Sequence, residues 1–372
     1  MLAYWLFFLF FVAGALFSLR GNGPLAATPA DLGGQQAPAH RVPPQPTGMI
    51  FGFGLVVVFV MVGLRFQVGG DWINYVNIFE RTRFFSLGQQ FAAGDPAYQF
   101  LNWLVARLGV GVWLVNAICA IPFVWGLRRL TQLQPEPWLL MVVAIPYLII
   151  VVAMGYTRQA SALGILMMGI AAVIRRDAGV FRFALYVLAA ALFHRTAIVF
   201  LPLMAFVFPT SRATNAITTA AVTVSLYVFF LQDNIELLNR NYIEAEYNSQ
   251  GAAVRIAQLA LAASIFFVAG KALHFEEIER KVWRNLSAAS LLMVPVLLLS
   301  PSSTVVDRIS LYLLPLQLAV LGRLPLWIRP PLLARLMVVL YSTTVLYVWL
   351  NYAFNVRGWL PYDNVLFGTD PR

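Results

Sequence analysis

Apolar runs about as long as a bilayer is thick recur along this chain, and arginines mark the breaks between them. Residues 110–127 close on Arg128 and Arg129, residues 138–155 follow, and residues 159–174 close on Arg175 and Arg176. A helix needs about 20 mostly apolar residues to cross the hydrocarbon core, where backbone groups must bond within their own segment. Hydrophobic residues make up 60% of the chain against 11% charged, with a mean hydropathy of +0.75, so the runs are the rule rather than local exceptions. The fold class implied is all-α, a polytopic transmembrane helical bundle. The 372 residues hold about ten to twelve spans with short loops, which leaves a single integral membrane domain over 1–372.

A net charge of +10 in a soluble protein points to a polyanion. Here the arginines fall in short clusters between apolar runs, as topology determinants do, so membrane lipids and not nucleic acid are the expected partner. Cys119 is the only cysteine, which excludes an intramolecular disulfide and a cysteine metal cluster. Three histidines without paired ligand spacing argue against a zinc site. G-F-G-F-G around Gly52 lies inside an apolar run and lacks a strand-turn-helix setting, so it is no dinucleotide signature. No cofactor is implied, and a divalent metal stays open.

In chain order, residues 2–19 have the length of a signal-peptide core but no preceding Lys or Arg, and read as a retained span. Residues 21–48 are rich in Gly, Pro, Ala and Gln and read as a flexible loop with too few apolar groups to fold. After a span at 49–66, Gly69 and Gly70 break the helix so that Asp71 can cap the next one. On that helix Trp72, Tyr75, Val76 and Phe79 share one face. A second amphipathic piece follows Pro96, with Phe100, Leu101, Leu104 and Leu108 on one side and Gln99, Asn102 and Arg107 away from it. The first large loop, 67–109, therefore carries two interfacial helices.

Residues 181–208 are too long for one span, too short for two, and interrupted by His194, Arg195 and Thr196. A single crossing would put the acidic loop 232–249 on the arginine-rich side and the basic loop 271–284 on the other, against the positive-inside rule. A short hairpin turning at His194 reverses both, and is the reading adopted; half-length helices require shielding by other protein. Further spans fall at 216–231, 254–273, 286–299, 308–321 and 332–350. Asp71, Arg158, His194, Asp307, Arg308 and Arg357 then share the outer side, opposite the arginine pairs.

Ionisable groups at membrane depth cost about 2.5–3.5 kcal/mol each, so a cluster of them argues for a polar cavity. Each also has a plainer role. Asp71 reads equally as an N-cap and as a base, Arg65 as a side chain reaching for the interface, and Arg158 with Gln159 as an interfacial anchor or a ligand contact. His194 reads as a hydrogen-bonded structural residue, Arg195 as an anchor of the hairpin tip, and Asp307 with Arg308 as a cap followed by a snorkelling cation.

Four segments carry a resemblance: G-L-R-F-Q-V-G-G-D-W-I-N-Y at 63–75, G-Y-T-R-Q-A-S-A at 155–162, A-A-L-F-H-R-T-A at 190–197 and D-R-I-S-L-Y at 307–312, with an aromatic ending before Leu366. In this order they resemble the EpsG family, which is similar in role to Wzy-type polysaccharide polymerases and has a GT-C-like architecture; the insertion at 21–48 departs from the pattern without touching a motif. The resemblance implies glycosyl transfer on the outer face of the bacterial inner (cytoplasmic) membrane, in exopolysaccharide, capsule or O-antigen biosynthesis. Donor and acceptor would be undecaprenyl-diphosphate-linked oligosaccharides, with other polysaccharide export proteins as candidate partners. A transferase adding one sugar from a polyprenyl-phosphate donor, or a flippase subunit, are the alternatives. It implies Asp71 as base with His194 beside it. Substrate contacts would come from Arg65, Tyr75, Arg158, Gln159, Asp307, Arg308, Arg357 and Tyr362.

Overall fold

A computed structural model describes residues 1–17, 48–204 and 251–367, with scattered positions from 207 to 249. The glycine- and proline-rich segment, the acidic loop and most of the span expected at 216–231 lie outside the described residues. Every named element is helical. In order they are α1 (Leu2–Phe17), α2 (Met49–Gly63), α3 (Trp72–Arg81), α4 (Leu87–Ala93), α5 (Pro96–Arg107), α6 (Val112–Thr131) and α7 (Pro137–Ala144), which continues as a π-helix at Ile145–Ala153. Then come α8 (Thr157–Ile174), α9 (Val180–Phe193), α10 (Ala252–Ala269), α11 (Glu277–Leu299), α12 (Ser303–Ser310), α13 (Pro315–Leu321), α14 (Leu324–Trp327) and α15 (Pro331–Tyr352).

The helices α6, α8, α10, α11 and α15 are long and apolar enough to cross a membrane, and α12 to α14 form a sixth candidate bent by 49° beside Pro315. The expectation of about ten to twelve spans draws on the shorter apolar helices α1, α2 and α7 with its π extension as well. Helix α11 begins well before the expected 286–299, because E-I-E-R-K-V-W-R adds amphipathic turns: Glu279 and Trp283 are buried, while Glu277 and Lys281 pair on the exposed side at 2.8 Å. The core is aromatic at α1, where Phe10, Phe11 and Phe51 surround Trp138 with ring centroids 5.1–5.7 Å away. Where α6 crosses α8, Gly126 and Gly164 allow backbone contact: a Cβ on Gly126 would stand 2.0 Å from the Gly164 carbonyl oxygen.

The ambiguous stretch turns back on itself. Helix α9 ends at His194, and Arg195–Phe200 continues as a 3-10 helix folded against it. Phe200 and Phe208 both return to Phe183 near the start of α9, at 6.2 and 6.3 Å between centroids. The hairpin is shielded as its length demands, with Phe183, Val187, Ala190 and Ala191 buried.

The bundle thus has two polar ends. At one, Arg323 donates to Gln134 Oε1 at 2.9 Å, to both oxygens of Glu279 at 2.8 and 3.0 Å, and to the carbonyls of Leu133, Leu273 and His274. Arg335 pairs with Glu136 at 2.8 Å, and Arg175 donates to Gln132 at 3.2 Å, at the same end. Asp71, Asp95, Arg158, His194 and Arg308 gather at the other.

The first loop differs in detail from its expected form. It holds a third helix, α4, started by a capping box between Ser86 and Gln89. In α3 the expected face is the buried one, with Tyr75 and Phe79 inside. In α5 the polar side faces the protein: Gln99 and Asn102 are buried beside Tyr98, while Phe100, Leu104 and Leu108 are exposed. An apolar face turned away from protein suits a helix at a lipid boundary, whose core-facing side is free to be polar.

Candidate functional site

The Asp71 loop is held by its backbone. Gly69 adopts φ +117°, its amide donates to the Gly358 carbonyl at 2.7 Å, and a Cβ there would meet the Met154 carbonyl oxygen at 2.3 Å. The glycine pair therefore serves close approach to the end of the π-helix as well as the turn. Trp359 donates from Nε1 to the Ile150 carbonyl at 2.7 Å and its own carbonyl accepts from Tyr4 at 2.8 Å, which fastens the C-terminal tail over this joint.

Asp71 occupies the N-cap position of α3, but its side chain makes no capping hydrogen bond. Its Oδ2 lies 3.8 Å from Arg308 Nη2, and both side chains remain 28% exposed. Arg308 lies over the Tyr156 ring at 3.8 Å from its centroid, and its carbonyl accepts from Gln159 Nε2 at 2.6 Å. Gln159 is buried, so it sets the position of α12 from behind. Asp307 and Arg308 sit inside α12, not at its start as a cap would.

Asp95, which the sequence reading passed over, is the hub of the cluster. Arg158 Nη1 donates to its Oδ2 at 2.9 Å, the Arg195 amide donates to Oδ1 at 3.1 Å, and His194 Nδ1 lies 3.5 Å from Oδ2. Arg195 also donates to the Gly94 carbonyl at 2.7 Å. Burial alone would raise the Asp95 pKa, but the contacts and charges of His194 and Arg158 and the Arg195 amide outweigh it and hold the carboxyl below its usual range. The only sequence signal was G-D-P ahead of an amphipathic run, which reads as a helix start; yet Asp95 does not cap α5 with its side chain.

Asp307 is clamped by a second cation that sequence reasoning missed. Arg255 on α10 donates from Nε to Oδ1 at 2.6 Å and from Nη2 to Oδ2, and Ser249 adds a hydrogen bond at 3.2 Å. On the hairpin, Thr196 bonds Tyr312 at 3.0 Å, tying the D-R-I-S-L-Y segment to the turn at His194.

Four expected contact residues are placed away from this polar cluster or beneath it. Arg65 is buried: Nε donates to the Val68 carbonyl at 3.1 Å, Nη1 to Val62 and Nη2 to Thr157 Oγ1 at 2.5 Å. Its guanidinium joins the end of α2 to the start of α8. Tyr75 is buried against Tyr98, and burial with the nearby Asp71 charge raises its pKa to about 12, so it stays a neutral phenol. Tyr362 donates to the Met61 carbonyl at 3.3 Å and packs on Tyr4, a structural role. Arg357 is exposed on the 3-10 helix Phe354–Gly358.

A cleft of about 950 Å³ opens beside the loop, lined by Gly69, Gly70, Trp72, Ile73, Val76 and Glu80 among others. It is large enough for several sugar units. A half-buried carboxylate, several cations and an adjoining cleft thus lie at one end of a membrane bundle. The chain matches the model of the EpsG family over residues 49–364 and belongs to that family. It is therefore a membrane protein related to polysaccharide biosynthesis. No curated protein and no solved structure matches.

Proposed function

We propose that this chain polymerises lipid-linked oligosaccharide repeat units on the outer face of the membrane by glycosyl transfer, with an undecaprenyl-diphosphate-linked glycan as donor and a second lipid-linked unit as acceptor. The observation that carries the reading is the contrast among carboxylates. Asp95 is buried in a cationic cage and Asp307 is clamped by Arg255, whereas Asp71 makes no capping bond, keeps 28% of its side chain exposed, and sits between Gly70 and Trp72 of the cleft wall. In the reaction Asp71 takes the proton of the acceptor hydroxyl as that oxygen bonds to the donor anomeric carbon. The bond from that carbon to the diphosphate oxygen breaks, and the diphosphate leaves with the electron pair. Arg308, beside Asp71, and Arg158, beside Asp95, would stabilise that charge, since a guanidinium matches phosphate oxygens bidentately. His194 Nδ1 faces Asp95 Oδ2 at 3.5 Å, which leaves the other ring nitrogen to meet acceptor or phosphate.

A deletion strain is expected to accumulate lipid-linked single repeats and lack long polymer. Abundant polymer there would remove the proposal, and loss of one terminal sugar with polymer length unchanged would favour a single-sugar transferase. The outer placement has its own test. Gly88→Cys, on exposed α4, should react with an impermeant thiol reagent added outside, and Lys271→Cys should not; native Cys119 is buried and should stay silent. Labelling of position 271 alone would place the Asp71 end inside.

A further inference from the structure

One full length of α8 away from Arg158, about 27 Å at 1.5 Å per residue, the surface between α6, α8 and α9 forms a groove of about 520 Å³. Arg129, Arg175 and Arg182 line it together with one carboxylate, that of Asp177. Its wall is apolar and built from small or flexible side chains, Met168, Ala171, Ala172, Leu185 and Ala189, between Trp125 and Tyr186. The polysaccharide reading makes no use of this end.

We propose that this groove binds an anionic phospholipid, its phosphodiester among the three arginines and the upper part of an acyl chain against the alanine and leucine wall. Three observations carry the assignment. First, the arginines are held in place: Arg175 donates to Gln132 Oε1 at 3.2 Å, Arg182 to the Asp177 carbonyl at 2.7 Å, and Arg129 lies 5.9 Å from the Trp125 ring centroid. Ordered guanidinium groups bind phosphate at a smaller entropic cost than free ones. Second, α9 begins at the groove, so the unpaired amides of its first turn add positive potential to that of Arg182 in the same turn. Third, the groove opens sideways: Trp125 and Leu185 are both 47% exposed, on flanks that a bundle of apolar helices turns toward lipid. Three guanidinium charges against one carboxylate leave a net attraction for a phosphate headgroup, and basic pockets between helices at this depth are sites for anionic lipid. A free phosphate would leave the apolar wall bare.

The test uses the full-length protein in mild detergent. Dioleoylphosphatidylglycerol should raise its Tm, and dioleoylphosphatidylcholine at the same concentration should not. The double variant Arg175→Gln/Arg182→Gln should lower affinity for phosphatidylglycerol by about tenfold or more, since a phosphate-arginine contact is worth roughly 1.4 kcal/mol or above at this depth. Inorganic phosphate and glycerol phosphate should fail to compete. A shift of equal size in the double variant, or from phosphatidylcholine, overturns the proposal, and effective competition by inorganic phosphate reduces the groove to a simple anion site and overturns the lipid assignment. A variant that no longer folds is replaced by Leu185→Glu, on the exposed apolar wall, which should weaken lipid binding and leave the arginines in place; unchanged binding there also counts against the proposal.

Discussion

Asp71→Asn is expected to insert and accumulate at the wild-type level, to retain lipid-linked donor, and to make polymer about a hundred- to ten-thousand-fold more slowly, the range a positioned base contributes. The amide keeps the shape of the carboxylate but cannot take a proton. Because the Asp71 side chain makes no capping bond, Asp71→Ala should also fold nearly as well as the parent, where a true cap would lose about 1 kcal/mol. Activity is read from polymer length in a complementation strain, and stability from the detergent-solubilised thermal transition. Near-normal polymer from Asp71→Asn would end the base assignment. Asp363 would become the next carboxylate to test, because its Oδ1 accepts from the adjacent Asn364 amide, at 2.7 Å, while Asp95 and Asp307 are ion-paired.

Much of this arrangement was legible in the sequence because bilayers impose lengths and sides. Arginine clustering placed the basic loops at one end, and that parity argument fixed the turn at His194, which the aromatic returns to Phe183 now display. Periodicity found the apolar faces of α3 and α5 but not which way each turns: that of α3 is buried, while that of α5 is exposed, since in lipid the apolar stripe no longer marks the side that packs on protein. Composition counts charges without their partners. Asp95 and Arg255 escaped notice because nothing local distinguishes a carboxylate before a proline, or an arginine in the first turn of an apolar helix, from a cap or an anchor. Their roles arise from residues such as Arg158, 63 positions on from Asp95, and Asp307, 52 positions on from Arg255. Arg65 shows the converse: its motif suggested a ligand contact, and its guanidinium is spent on backbone carbonyls and Thr157.

Asp95→Ala should do the opposite of Asp71→Asn and damage the fold itself. It removes the shared partner of Arg158, His194 and the Arg195 amide, leaving partly buried positive charge without compensation. Stranding one member of a buried pair costs about 3–5 kcal/mol. Arg158 is 32% exposed, so water screens part of the loss and the lower end of that range applies. Against a typical margin of about 5–15 kcal/mol this is enough to reduce accumulation sharply. The pH dependence carries a second signature. The folded-state pKa of Asp95 is depressed, so its stabilisation is complete above the unfolded carboxylate value of about 3.9 and is lost as pH falls through the lower folded value. The parent should therefore lose stability more steeply than Asp95→Asn on acidification below about pH 4, and the two Tm values should converge there. A double-mutant cycle of Asp95→Asn with Arg158→Gln should show a favourable coupling between the two positions of the order of 1 kcal/mol or more. Simple additivity, together with an unchanged Tm for Asp95→Ala, would mean that the cationic ring holds its shape without the carboxylate at its centre.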